Sequence, residues 1–116
     1  MNDMSPDQFR QHMKDLTSAD ESQCDAARAA LLVLDEAIVD PLVGEFYSGV
    51  SEALGVAILD LAAEIGGPDA LSLLRNVYNF DDHHAAWRAA AGRGLLHNRH
   101  SLDANELDEL LRDGNL

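Results

Sequence analysis

Two aspartates and two histidines stand side by side at Asp81-Asp82-His83-His84, and these side chains are well suited to metal chemistry. Imidazole and carboxylate groups bind zinc and other transition metals. Neighbouring residues of a helix point about 100° apart, however, so four consecutive side chains of a regular helix cannot all reach one ion. Aspartate also interacts favourably with the positive N-terminus of a helix. We therefore expect Asp81 or Asp82 to cap the helix that follows.

His97 and His100 are a second pair of metal-ligand types, because residues three apart share one face of a helix. Together with His83 and His84 they define an alternative hypothesis, a metal-dependent activity at a cluster of histidine and aspartate. Histidine near the C-terminus of a helix also interacts favourably with the helix dipole, which explains these residues without a metal. We predict no metal, no cofactor and no enzymatic activity, and we keep the histidine cluster as the alternative.

Other reactive groups lack the neighbours that their chemistry requires. Cys24 is the only cysteine, so the chain can form no internal disulfide and no cluster of thiolate ligands. Gly66-Gly67 is followed by Pro68, whereas a phosphate-binding loop continues with Lys and Ser or Thr. These absences favour a binding protein over an enzyme.

Alanine and leucine dominate the composition. The 116 residues include 17 Ala and 18 Leu, against 6 Val, 3 Ile and 1 Thr. Ala and Leu favour helices, whereas β-branched residues favour strands. The length suits one domain with one core. We therefore predict a single all-α domain over residues 1–116.

The charge is strongly negative. Twenty-one acidic residues against 8 basic ones give a formal charge of −13, which repels nucleic acid and anionic membranes. No apolar stretch reaches the length of a membrane span, and the polar N-terminus lacks the apolar core of a signal peptide. We therefore expect a cytoplasmic protein that binds neither nucleic acid nor membrane.

Capping residues divide the chain into about six to seven short helices. Ser, Asp or Pro followed by Gln or Glu is typical of a helix start, and glycine is typical of a helix end, as at Gly66-Gly67. The second helix is expected to end near Val39. Short connections make neighbouring helices antiparallel. The predicted starts are Ser5-Pro6-Asp7-Gln8, Ser18-Ala19-Asp20-Glu21, Asp40-Pro41, Ser51, Pro68 and Asp103-Ala104-Asn105-Glu106.

Leu54 and Trp87 are 33 residues apart, and the sequences around them echo each other. A period of this size indicates stacked helix pairs. The segments PDALSLLRNVYNFDDHHAAWRAAAGRGLL and, more loosely, DPLVGEFYSGVSEALGVAILDLAAEIGG resemble HEAT repeats, in which a first helix starts P-[DE]-A-L and a second reads V-R-x-A-A-x-x-A-L-G. Residues 25–38 are similar to a degenerate second helix. The central copy departs from the pattern, with Ser51 at the turn and Gly55 where Arg is expected.

This resemblance implies a short right-handed α-solenoid of antiparallel helix pairs. An N-terminal capping helix over residues 1–17 would precede the repeats at 18–97, and a C-terminal capping helix would follow at 101–116. In HEAT repeats the concave surface formed by the second helices usually binds another protein. An unrelated helical bundle is the alternative fold.

The resemblance also implies a structural ion pair. In HEAT repeats an acidic residue of the turn commonly pairs with the arginine of the second helix. Asp81 or Asp82 and Arg88 occupy these places. The pair would stabilise the fold and would have no catalytic role.

Charge and resemblance together predict a protein partner, with a basic partner favoured by electrostatics. A scaffold or adaptor role fits such a surface. One alternative is a small acidic inhibitor or immunity protein that neutralises a basic toxin or enzyme, and another is a homodimer. A Trp in a domain with few aromatic residues usually belongs to the core, but it is also a common contact residue. The candidate contact residues are Asp35, Glu36, Asp60, Glu64 and Trp87.

Overall fold

A computed structural model of the chain describes residues 4–80 and 84–113. Within these ranges all regular elements are helices and no strand occurs, so the predicted all-α fold is confirmed. No helix in these ranges is both long and apolar enough to span a bilayer. The helices are α1 (Pro6–Asp15), α2 (Glu21–Val33), α3 (Val39–Tyr47), α4 (Glu52–Ile65), α5 (Gly67–Phe80), α6 (Ala85–His97) and α7 (Ala104–Arg112), with 3₁₀ helices at Asp35–Ile38 and Arg99–Ser101.

Three of the predicted helix starts are confirmed by hydrogen bonds of the capping side chain. Ser5 Oγ accepts from the Gln8 amide at 3.2 Å, and the Gln8 side chain accepts from the Ser5 amide at 3.0 Å. Asp103 and Glu106 form the same reciprocal box at α7. Ser51 accepts a backbone N–H in the first turn of α4. Such caps satisfy N–H groups that have no partner within the helix.

Two of the predicted caps are wrong. The cap of α2 is Asp20, whose carboxylate accepts from the Ser22 amide at 2.9 Å, whereas Ser18 lies outside the helix. α3 begins at Val39, one residue before the predicted cap Asp40. The 3₁₀ helix before α3 leads directly into it, so the chain is already helical there and uses no side-chain cap.

α2 is shorter than the sequence predicted. It ends at Val33 and not near Val39. The break occurs before Asp35, which has a φ of +52°, in the left-handed region that does not continue an α-helix. The 3₁₀ helix then carries the chain to α3 and buries Ile38.

The start of α6 also differs from the prediction. The helix begins at Ala85, and His84 occupies the capping position. The predicted caps Asp81 and Asp82 lie outside the described residues. The ion pair proposed between one of them and Arg88 therefore stays a prediction.

α4 is the central helix and packs mainly against α6 and α5. α2 contacts α4, α3 contacts both α4 and α5, α1 contacts α2, and α7 contacts α6. Thus α2, α4 and α6 follow one another in one layer, and α3 and α5 lie in the other. This is the order of contacts that stacked helix pairs require, while the solenoid itself stays a prediction. The largest fully buried side chains are Leu31, Leu42, Ile58, Leu59, Leu61 and Leu74.

α4 and α6 approach each other closely at two glycines. A Cβ on Gly55 would lie 2.3 Å from Nε1 of Trp87, and a Cβ on Gly94 would lie 2.9 Å from the Cβ of Ala63. Beyond these contacts, the buried Asn98 side chain donates to the carbonyls of Ala63 and Gly94, at 2.9 Å each. The glycine at position 55, where a HEAT repeat has arginine, thus makes room for the indole.

Polar contacts attach α7 and the residue that follows it to the preceding helices. Arg75 donates to both carboxylate oxygens of Glu106, at 2.8 and 3.2 Å. Asp113, directly after α7, accepts from the Tyr78 hydroxyl at 2.6 Å and from Arg88 at 3.0 Å. The Arg88 guanidinium also lies 4.5 Å from the centre of the Tyr78 ring. These contacts give Arg88 a structural role through an acidic residue that the sequence did not suggest.

Candidate binding surfaces

A groove of about 390 Å³ opens between α1 and the segment that leads into α3. Every described side chain that lines it is apolar. The 3₁₀ helix and the start of α3 form one wall, and the first half of α1 forms the other. The lining residues are Met4, Pro6, Phe9, Leu34, Ala37, Ile38 and Pro41.

A second groove, of about 200 Å³, runs between α3 and α5 and is acidic. Asp40 and Asp69 lie on its two sides, and Val43 and Leu73 contribute apolar surface. Tyr47 is also part of the lining and is 60% exposed, which is unusual for a large aromatic side chain. This groove combines negative charge with apolar and aromatic contact area.

The two grooves lie on either side of one segment, residues 34–43. Glu36 and Asp69 also line a small cavity between them, beside Gly67. Neither the two grooves nor this cavity has a Lys, Arg or His among its described lining residues. We call the residues that line these three cavities the α3 surface, and the charged side chains among them, Glu36, Asp40 and Asp69, are all negative.

A third cavity of about 250 Å³ crosses the other layer, over α2, α4 and α6. Its charged groups have both signs. Arg28 and Glu64 form an ion pair between α2 and α4. We call this cavity the second-helix cleft, and its lining residues are Arg28, Asp60, Ala63, Glu64, Arg93, Gly94 and His97.

Asp60 is a half-buried carboxyl in the second-helix cleft. Its pKa is raised above 3.8, mainly because burial penalises the charged form, and the negative charge of Glu64 adds to this. The positive charges of Arg93 and Arg28 act in the opposite direction. In the described part of the chain Asp60 has neither a hydrogen bond nor an ion pair within 4.0 Å. It is a carboxylate without a direct partner in a cavity.

The structure divides the predicted contact residues among separate places. Glu36 belongs to the α3 surface, and the exposed Asp35 is its neighbour in the same 3₁₀ helix. Asp60 and Glu64 line the second-helix cleft on the other layer. These four carboxylates therefore do not belong to one binding surface.

Trp87 lies near neither cavity and is half-buried at the start of α6. Its indole N–H donates to the Glu52 carbonyl at 2.9 Å. The ring centre lies 4.7 Å from that of Phe46, and the His84 ring stacks on it at 3.9 Å. Trp87 thus joins the ends of three helices, and its main role is packing.

Of the four histidines of the alternative metal site, the structure describes three, and it does not bring these three together. His84 precedes α6 and His97 is its last residue, so they are about 20 Å apart along the helix axis. His97 and His100 are exposed near the other end, and His83 lies outside the described residues. Among residues 4–80 and 84–113, no group of three His, Cys, Asp or Glu side chains is arranged to hold a metal ion.

The sequence did not single out Arg93, although a signal was present. Asp60 and Arg93 are 33 residues apart, and so are Glu64 and His97. This is the period of the internal echo, so equivalent positions of neighbouring second helices should lie side by side. The structure places all four residues in one cleft.

Asp40 and Asp69 were assigned only to helix starts, where each stands next to a proline. Both segments were read as first helices of neighbouring repeats. If α3 and α5 had been assumed to lie side by side, Asp40 and Asp69 would have been expected close together. The structure places both in one groove.

The comparisons with known proteins point to no family. No family model matches the chain, and neither a curated protein nor a solved structure matches it. The function must therefore be argued from the surfaces of the chain itself.

Proposed function

We propose that the chain is a non-enzymatic protein–protein interaction module whose α3 surface binds a basic, amphipathic segment of another protein. The observation that carries the proposal is that an apolar groove and an acidic groove lie on either side of residues 34–43. A partner segment with apolar residues on one face and Lys or Arg on the other matches both grooves.

The apolar groove supplies binding energy. Fully burying one large apolar side chain contributes about 1.5–3 kcal/mol. At about 390 Å³ the groove accommodates more than a single such side chain. Because its described lining contains no charged residue, a polar segment would lose hydration there without gaining a hydrogen-bond partner.

The carboxylates supply selectivity for a basic partner. Glu36, Asp40 and Asp69 are exposed, and no cationic side chain lines the same cavities in the described ranges. The formal charge of −13 extends this field beyond the contact area. Complementary charge raises association rates and excludes acidic partners. A scaffold and an inhibitor that neutralises a cationic enzyme are two forms of this role.

A HEAT-like arrangement is part of the proposal, supported by the contacts of α2 with α4 and of α4 with α6. The resemblance placed the partner on the second helices, α2, α4 and α6. We place it on the first-helix side, because the second-helix cleft has two positive and two negative side chains. Such a balance does not select a basic partner.

The test uses a fluorescently labelled helical peptide of Leu and Lys, titrated with the full chain. Removing two charges with Asp40→Asn/Asp69→Asn should weaken binding about three- to tenfold. Ala37→Gln should also weaken it, because the longer side chain occupies the apolar groove from an exposed position. The matched control Asp25→Asn/Glu109→Gln removes two exposed charges elsewhere and should leave the affinity within twofold.

Equal weakening by both double variants would mean that the peptide responds only to the overall charge, and would contradict the proposed surface. A monomer–dimer equilibrium that Ala37→Gln abolishes would instead identify a second copy of the chain as the occupant of the groove. Light scattering of the wild type and of this variant distinguishes that outcome.

A further inference from the structure

The second-helix cleft has a balanced charge, unlike the α3 surface. Arg28 and Arg93 contribute two positive charges, and Asp60 and Glu64 contribute two negative charges. A singly charged ligand would be attracted by one part of this cleft and repelled by another. A ligand that fits the whole cleft carries both signs.

Two of the four charges are already engaged with each other. Arg28 and Glu64 form an ion pair across α2 and α4. Asp60 and Arg93 remain, on α4 and α6. Their charges interact, but no Asp60 oxygen lies within 4.0 Å of an Arg93 nitrogen. The Asp60 carboxylate and the Arg93 guanidinium thus line the same cleft without forming an ion pair with each other.

The cleft is small. Two of its lining residues, Ala63 and Gly94, lie where α4 and α6 approach each other closely. The volume of about 250 Å³ is below the range of about 300–1,000 Å³ that is usual for drug-sized ligands. A ligand with few heavy atoms fits this space.

We propose that the second-helix cleft binds a free α-amino acid, with the ammonium group on the Asp60 carboxylate and the carboxylate group on the Arg93 guanidinium. The ammonium group carries three N–H donors. The Asp60 carboxylate can accept them, because no described group of the protein donates a hydrogen bond to it. The planar guanidinium suits a carboxylate because it can donate two parallel hydrogen bonds. His97 also lines the cleft.

This site does not depend on the α3 surface. The two sites lie on different layers of the fold and share no lining residue. Failure of the peptide experiment would therefore leave this proposal intact, and failure of the amino-acid experiment would leave the protein–protein function intact.

The experiment records amide chemical shifts of the ¹⁵N-labelled full chain while glycine or glutamate is added at constant ionic strength. Saturable shifts of the Ala63 and Gly94 amides are expected, with a Kd on the order of 1 mM because the cleft is open to solvent. Asp60→Asn and Arg93→Gln should each weaken binding at least about fivefold. Asp25→Asn and Arg10→Gln, which remove exposed charges elsewhere, are the matched controls.

Acetate, methylammonium and diglycine are the comparison ligands. Acetate and methylammonium each carry one of the two charges, and diglycine separates them by a peptide bond, so weaker shifts are expected from all three. Shifts as large with acetate as with glycine would overturn the proposal. So would affinities that are unchanged in Asp60→Asn and Arg93→Gln, or the absence of any saturable shift at about 20 mM glycine.

Discussion

Burial of the Asp60 carboxyl has a direct consequence for stability. It raises the pKa above 3.8, and the positive charges of Arg93 and Arg28 offset the effect only in part. Between 3.8 and the raised value, the folded chain binds more protons than the unfolded chain, so stability falls as pH rises. Above this window the loss is complete, and the ionised carboxylate destabilises the fold.

Asp60→Asn should therefore increase the free energy of unfolding at about pH 7, because the amide has nearly the same shape without the charge. The increase should shrink as the pH falls towards 3.8, because protonation then removes the charge from most folded molecules and from about half of the unfolded ones. Urea denaturation at the two pH values measures it, with the exposed Asp25→Asn as the control. A loss of stability at neutral pH would show that attraction to the two arginines outweighs burial. If the amino-acid site is correct, the same variant gains stability and loses binding.

Gly55 and Gly44 offer a matched pair of glycines within helices. A Cβ at Gly55 would overlap the Trp87 indole, so Gly55→Ala should destabilise the fold by about 1–3 kcal/mol. Nothing lies within 4 Å of a Cβ at Gly44, so Gly44→Ala should stabilise it by about 0.5–1 kcal/mol. Chemical denaturation gives both values, and the fluorescence of the single Trp should change only in Gly55→Ala. Equal effects at the two sites would contradict the close packing of α4 on α6.

At the residue scale, the sequence predicted local contacts better than distant ones. Ser51 and Asp103 were predicted as caps, because a cap bonds to residues two or three positions along the chain. The pairing of Arg88 with Asp113 was missed, since it depends on how α7 returns to α6. The partners of a long side chain follow from packing, which residue type alone does not give.

At the scale of elements, the sequence likewise predicted one helix end correctly and missed another. Gly66 ends α4 with a φ of +70°, as a glycine there predicts. The end of α2 was placed too late because Asp35 adopts the left-handed conformation, which aspartate tolerates but adopts much less often than glycine. The apolar spacing of Leu31, Leu34 and Ile38 continues through the break and conceals it.

The stability of the fold should therefore depend on the shape of the side chain at position 35. Aspartate tolerates the left-handed region, but a β-branched residue does not, so Asp35→Val should destabilise the fold by about 1–2 kcal/mol relative to Asp35→Gly. Glu36→Val is the control, since it removes the same charge from an exposed neighbour without a positive φ, and it should change stability by less than about 0.5 kcal/mol. Equal losses in the two valine variants would mean that charge or exposure, and not backbone conformation, decides the outcome.

For the molecule as a whole, composition and capping predicted the fold class, while the arrangement of the binding surfaces needed the structure. An all-α domain follows from the excess of Ala and Leu. The grooves on either side of residues 34–43 depend on how α1, α3 and α5 pack, and the 3₁₀ helix that shapes them was read as the end of α2. Surface charge alone therefore predicted a partner class but not its location.

The net charge predicts opposite effects of salt on the stability of the free chain and on the binding of a basic peptide. Even if every one of the 8 basic residues were paired, 13 of the 21 acidic residues would remain without a basic partner, and their mutual repulsion opposes the compact state. Salt screens this repulsion over about 10 Å at 0.1 M, so raising NaCl from about 0.02 to about 0.5 M should increase the melting temperature of the free chain. The same salt should weaken binding of a basic peptide at the α3 surface, because it screens attraction there. Thermal denaturation and peptide titration over one salt series measure both. A melting temperature that falls with salt would show that attractive pairs such as Arg75 with Glu106 dominate the electrostatics of the fold. A peptide affinity that does not change with salt would show that the carboxylates are not part of the interface.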